Sequence, residues 1–211
     1  MYIKMIRNSM VAILFFASFL MNAWAQKTMI YQDRDAQYKA GLELYDNEKY
    51  GAAQEQFALV ISSGNDGNEM MVNAQYYYAM CSAILLHRDA DYLLTTFIHA
   101  HPESIKSKTA IWELGRMYYK QKNYKKAIEW FDRTDVTYLG SNEDEEYYFK
   151  MGYSAFKLNR MDSASKAFYQ ILEINSKYSN DANYYYAHIN YVKKNYEVAL
   201  KAFMKIKEVP E

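Results

Sequence analysis

The chain has one cysteine, Cys81, in 211 residues, so it can close no intramolecular disulfide. It has only two prolines and seven glycines. So few breakers leave no room for the closely spaced tight turns of an all-β sandwich or barrel. Acidic and basic residues balance at 25 each, which removes the electrostatic footprint of a nucleic-acid or anionic-membrane binder. Beyond residue 25 no stretch is apolar for the roughly 20 residues that a membrane span needs. P-loop, dinucleotide-fingerprint and nucleophile-elbow motifs are all missing, so no cofactor and no catalytic residue are expected. His99 and His101 are the nearest approach to a metal pair. Residues two apart do not share a helix face, and no third ligand is evident, so no metal site is expected and solvated histidines suffice.

Apolar residues are concentrated first at the N-terminus. Lys4 and Arg7 precede an apolar run from Met10 to Leu20, and Ala23-Trp24-Ala25 follows. That order of basic start, apolar core and small-x-small ending is a secretory signal over residues 1–25, cleaved before Gln26. An uncleaved anchor is the alternative. The expected location is the periplasm, reached by export across the inner membrane. Residues 26–32 form a short lead, and 33–211 a single domain. Cys81 lies among Met80, Ala83 and Ile84 with no basic neighbour, and reads as a buried, inert thiol.

A register then emerges. Ala53, Ala90, Ala127 and Ala164 recur at one constant interval, and Ala199 follows slightly sooner. A bulky apolar residue stands four positions after each: Phe57, Leu94, Phe131, Phe168 and Phe203. Twelve positions before the first, third, fourth and fifth alanines stand Gly41, Gly115, Gly152 and Ala187, while the second unit has Tyr78 beside Ala79. A fixed period of this size marks a solenoid, whose units bury their apolar faces by stacking. Each unit reads as two helices. Ile111, Leu114, Met117 and Tyr118 keep helical spacing over about Ser107–Gln121. Lys122-Asn123 turns the chain, and a second helix covers about Tyr124–Arg133. Small residues at the glycine and alanine sites let the two helices approach closely, with phenylalanine beside them. Asn at the turns fits a left-handed C-terminal cap. The fold class is therefore all-α: a right-handed α-solenoid of about five helix–turn–helix units.

The stretch LGRMYYKQKNYKKAIEWF, Leu114 to Phe131, resembles the tetratricopeptide repeat. MGYSAFKLNRMDSASKAF (Met151 to Phe168), GLELYDNEKYGAAQEQF (Gly41 to Phe57) and YYAHINYVKKNYEVALKAF resemble it too, the last with Ala187 in place of glycine. The likeness runs over about residues 33–207, with a period three residues longer than usual for the family. It implies a protein-binding scaffold rather than an enzyme. With its export signal and Tyr-rich units, the chain is also similar to the N-terminal part of large secreted or periplasmic tetratricopeptide-repeat proteins of Gram-negative bacteria.

In such a stack the first helices line the inner surface. Helical register puts Tyr38, Trp112, Phe149 and Tyr184 on one stripe and Tyr45, Tyr119, Phe156 and Tyr191 on another, with Arg116, Tyr153 and His188 between them. Two readings follow: an aromatic groove for a peptide or partner helix, or rings that fill space between units. The triplets Tyr76-Tyr77-Tyr78, Tyr147-Tyr148-Phe149 and Tyr184-Tyr185-Tyr186 cannot turn all three rings to one core, since successive helical residues point about 100° apart. Asp35, Glu146 and Asp181 stand where a carboxylate clamp would need cations, so an apolar and aromatic mode is expected, with Arg116 as the main cationic contact.

The expected function is a non-catalytic protein–protein interaction scaffold in the cell envelope. The alternative is an envelope glycan- or peptidoglycan-binding module, since Tyr and Trp faces also stack on sugars. Polar side chains interleaved with rings would favour sugars. Around the two stripes the neighbours are mainly Ala, Leu and Met. The final helix carries Leu200, Phe203, Met204 and Ile206, which suggests self-association or continuation of the array.

Overall fold

The computed structural model describes residues 34–64 and 67–206. The expected signal over 1–25, the expected lead over 26–32 and the last five residues lie outside them. Ten α-helices and one 3₁₀ turn account for the regular structure, with no strand among the described residues. The fold is an all-α helical solenoid type built from helix pairs. Residues up to Cys81 form one compact unit and those from Ser82 a second.

The first unit holds α1 (34–46), α2 (Tyr50–Ser62) and most of α3 (Glu69–Ile84). Ala53, Phe57, Val60, Ala74 and Cys81 make its core. Gly41 faces the Phe57 ring so closely that a Cβ would lie 2.7 Å from Cε1. Tyr77 stacks on Phe57 at 5.3 Å. Cys81 is fully buried, and that burial pushes its thiol up to about 12.

The second unit contains α4 (Ala90–Ala100), α5 (Ile105–Lys120), α6 (Tyr124–Phe131), α7 (Ser141–Lys157), α8 (Met161–Tyr169), α9 (Ser179–Val192) and α10 (Tyr196–Phe203). Three-residue turns join α5 to α6, α7 to α8 and α9 to α10, and each of these pairs packs together. The crossing is the one read from the register: Ala90, Ala127, Ala164 and Ala199 are buried, as are Leu94, Phe131 and Phe168. At α5 and α7 the glycine meets the phenylalanine ring of its partner helix, and a Cβ on Gly115 or Gly152 would fall 2.4 or 2.9 Å from it. Phe203 departs from this register, with 39% of its surface exposed.

The turns have a different cap from the one expected of Asn. The residues with left-handed backbone are Glu48, Leu86, Lys122, Asn159 and Lys194, with φ between 57° and 65°. The residue after each donates its N–H to the carbonyl five positions back. Examples are Asn123 to Tyr118 (2.9 Å), Arg160 to Ala155 (2.8 Å) and Asn195 to Asn190 (2.8 Å). That bond, closed through one left-handed residue, is the Schellman arrangement. Asn123 and Asn195 stand one place later and are N-caps of the following helix. The Asn123 side chain accepts from Lys126 N–H. Only Asn159 occupies the position expected of it.

The longer connections, 132–140 and 170–178, separate successive pairs. They are pinned by side chains. The Tyr147 hydroxyl donates to the Phe131 carbonyl at 3.2 Å, satisfying a helix-end acceptor. The Asn183 amide donates to the carbonyls of Leu172 (3.1 Å) and Ser179 (2.9 Å). Glu143 accepts from Gly140 N–H at 3.0 Å and stands with Asp144 in the first turn of α7, where the helix dipole favours acids.

Candidate partner-binding surface

The predicted stripes divide by environment. Tyr38 and Tyr45 belong to the first unit, half-buried on α1. Tyr38 meets the Phe57 ring edge-on at 6.1 Å, and Tyr45 meets Tyr50 and Tyr77 at 5.3 and 5.0 Å. The other nine lie in the second unit on α5, α7 and α9.

Trp112 has no exposed surface. Its ring lies 5.4 Å from Phe131 and 6.0 Å from Tyr147, and its indole N–H has no hydrogen-bond partner. Phe149 is also core, stacked at 4.9 Å on Tyr178 and 6.0 Å from Phe168. These two rings present no face to a partner. At these two positions the stripe lies where one helix pair stacks on the next.

Apart from Tyr191, the remaining rings of the second unit form a connected series across three helices, and Tyr191 lies one turn beyond His188 on α9. Tyr119 of α5 meets Tyr153 of α7 at 5.9 Å. Tyr153 meets Tyr185 of α9 at 5.4 Å. Phe156 touches Tyr185 at 5.1 Å and His188 at 5.8 Å. Tyr184 stacks on His188 at 6.5 Å, and Tyr191 meets Tyr196 at 5.5 Å. Exposure rises along the series. Tyr119, Tyr153, Phe156 and His188 are half-buried, whereas Tyr184 and Tyr191 are 51% and 59% exposed. On α10, Leu200 is 61% exposed, and Met204 at its C-cap is 78% exposed. Burial raises the Tyr119 hydroxyl well above its ordinary value, and the neighbouring tyrosines add to this. The Tyr119 hydroxyl therefore keeps its proton at physiological pH.

Arg116 is not a free cation. Its Nη1 donates to Glu113 at 2.7 Å, and its Nε donates to Glu146 of α7 at 2.9 Å. Lys150 donates to the same Glu146 oxygen. Two acids and two bases thus neutralise one another across the α5–α7 junction. Burial works against the Glu146 charge, but Lys150 and Arg116 outweigh it and hold the carboxyl below its ordinary value. At Glu113 burial wins over Arg116, and its carboxyl is raised. Burial likewise lowers Lys150, only partly offset by Glu146. Neither Lys150 nor Tyr185 figures in the stripes. Helical spacing signals the Glu113–Arg116 and Glu146–Lys150 pairs, but the Arg116–Glu146 link joins residues thirty apart.

Among the described residues no three His, Cys, Asp or Glu side chains converge as metal ligands. No described helix is long and apolar enough to cross a membrane.

The tetratricopeptide-repeat profile matches residues 87–138 and again 145–178. No curated protein matches the chain in sequence. Solved structures do match in shape. MamA from AMB-1 aligns over 82% of this chain and 89% of its own, at 18% identity and a TM-score of 0.63. MamA from Desulfovibrio magneticus RS-1 aligns over 82% and 93%, at 13% identity and 0.64. Pseudomonas aeruginosa PilF aligns over 86% and 79%, at 15% identity and 0.58. At these identities the likeness speaks to the fold alone. Over residues 87–138 and 145–178, and with its glycine–phenylalanine crossings, the chain carries tetratricopeptide repeats.

Proposed function

We propose that this protein is a non-catalytic protein–protein interaction scaffold of the cell envelope. Its partner, a peptide or a helix, lies along the ring series of the second unit. The observation that carries this reading is the run of ring contacts from Tyr119 through Tyr153, Tyr185, Phe156 and His188 to the exposed Tyr184, with the exposed Tyr191 three residues beyond His188 on the same helix face. Tyr rings supply large contact area at little entropic cost. Arg116 serves this surface as a neutralised strut rather than as a cationic contact, because both its contacts are internal carboxylates. The groove therefore recognises apolar and aromatic side chains, not a carboxylate terminus. The N-terminal signal supports the envelope setting.

Site-specific photo-cross-linking tests the reading. A cross-linker at Tyr191 should trap a protein in the envelope, and one at the exposed Tyr92 of α4 should not. Equal yields at both positions would remove the ring series as the binding surface.

A further inference from the structure

A second surface of this unit has a different chemistry. Between α8 and α9 runs an open groove of about 570 Å³. One face of α8 lines it with Asp162, Ser165, Lys166, Tyr169 and Gln170, at helical stripe spacing. Across from them stand Tyr186 and Lys193 of the α9 side. No aliphatic side chain takes part. Tyr169 and Tyr186 bring their rings to 6.0 Å at 45°, and Tyr169 is 63% exposed. Lys193 donates to Asp162 and closes one end of the groove. The hydroxyls of Ser165, Tyr169 and Tyr186, the Gln170 amide and the Lys166 ammonium make no hydrogen bond to another described residue.

We infer that this groove binds an acidic oligosaccharide, one whose sugar rings carry carboxylates. The inference is independent of the peptide surface above. Three features select this class. Sugar C–H faces are weakly positive and rest on the negative face of an aromatic ring, and here two rings stand 6.0 Å apart, tilted by 45°. Hydroxyls and an amide both donate and accept, which matches a ligand whose every hydroxyl does the same. The lining charges are two lysines against one aspartate, so with Lys193 held by Asp162, Lys166 is left to meet one carboxylate. A partner helix would need aliphatic lining, which is lacking. A polyphosphate would need more than one uncommitted cation.

Titration of the full chain with tetragalacturonate, and in parallel with neutral maltotetraose, tests the inference by calorimetry and by tyrosine fluorescence. The uronate should bind saturably, and the neutral tetramer at least about tenfold more weakly, a difference of about 1.4 kcal/mol. Tyr169→Ala should weaken uronate binding by about tenfold, the same free-energy step. Lys166→Gln should erase the preference over maltotetraose. Both side chains are exposed, so both variants should fold, and circular dichroism verifies that. Cross-linking from Tyr191 should be unchanged in both. No saturable uronate binding, equal binding of the neutral tetramer, or full binding by Tyr169→Ala would each overturn the inference. None of these outcomes bears on the peptide reading, which stands or falls with Tyr191.

Discussion

Gly115 lies so close to Phe131 that a Cβ on the glycine would sit 2.4 Å from both Cδ1 and Cε1 of the ring. The ring is fully buried and packed by Trp112 at 5.4 Å and Tyr147 at 5.8 Å, so it has nowhere to retreat. The repeat's glycine is thus a seat for the phenylalanine of the partner helix. The same contact recurs at Gly41 with Phe57 and at Gly152 with Phe168.

Gly115→Ala should therefore lower stability by about 1–3 kcal/mol through overpacking, although alanine is intrinsically the better helix former by about 1 kcal/mol. Gly51, also helical, has open space where its Cβ would be, and Gly51→Ala should raise stability by about 0.4–1 kcal/mol. Urea unfolding of both variants reads opposite shifts in midpoint. A stabilised Gly115→Ala would mean the crossing is looser than described.

Trp112→Ala should cost about 3–5 kcal/mol, the range for deleting a large buried aromatic. Tyr191→Ala, at a ring 59% exposed, should change stability by no more than about 0.5 kcal/mol. Thermal melts followed by circular dichroism separate the two. If Trp112→Ala melted like the parent chain, the ring would be a surface group after all.

How far the sequence could be read follows from these contacts. The alanine–phenylalanine register was legible because both partners of each crossing lie within one unit, at fixed spacing. The helix bounds were legible to within about two residues, with Ser107–Gln121 expected against Ile105–Lys120 observed. Whether a stripe residue faces solvent was not legible, because that depends on how the next pair settles on it. Trp112 is sealed partly by Tyr147 from the following helix pair, and Phe149 by Tyr178 from the connection before α9. The turn residue was misassigned for a local reason. Asn tolerates left-handed backbone, yet it also caps helix N-termini well, and in the Lys-Asn turns the second property decides its place. The α8–α9 groove was invisible because its two walls come from different repeats.

The left-handed lysine at the α5–α6 turn gives a third test. Lys122 holds φ at 60°, which costs a residue with a Cβ roughly 1–2 kcal/mol. Its side chain is exposed. Lys122→Gly should relieve that strain and, after glycine's greater unfolded-state entropy is subtracted, raise stability by about 0.5 kcal/mol. Lys122→Val, β-branched and ill suited to the conformation, should lower it. Equal midpoints for the two in urea would show that the turn does not require a left-handed residue.

The charge network makes stability depend on pH in a definite direction. The Glu146 carboxyl titrates lower in the folded protein than its ordinary value: burial opposes its charge, but Lys150 and Arg116 prevail. A depressed carboxyl contributes stability that is present above the unfolded value and lost as pH falls through the folded one. Glu113 acts in the opposite sense, because burial raises it despite Arg116. Its proton is held more tightly in the fold, so protonation there favours the folded state as pH falls. Glu146→Gln should therefore cost about 1–3 kcal/mol at neutral pH, since Arg116 and Lys150 lose a half-buried charged partner. That cost should shrink as pH drops below the ordinary glutamate range, where the parent chain also loses the charge. Glu113→Gln should leave the acid limb of the parent's stability curve steeper, by removing the opposing titration. Urea unfolding at a series of pH values from neutral to acid measures both slopes. A Glu146→Gln penalty that persisted undiminished at the acid end would show that the carboxylate's role is packing rather than charge.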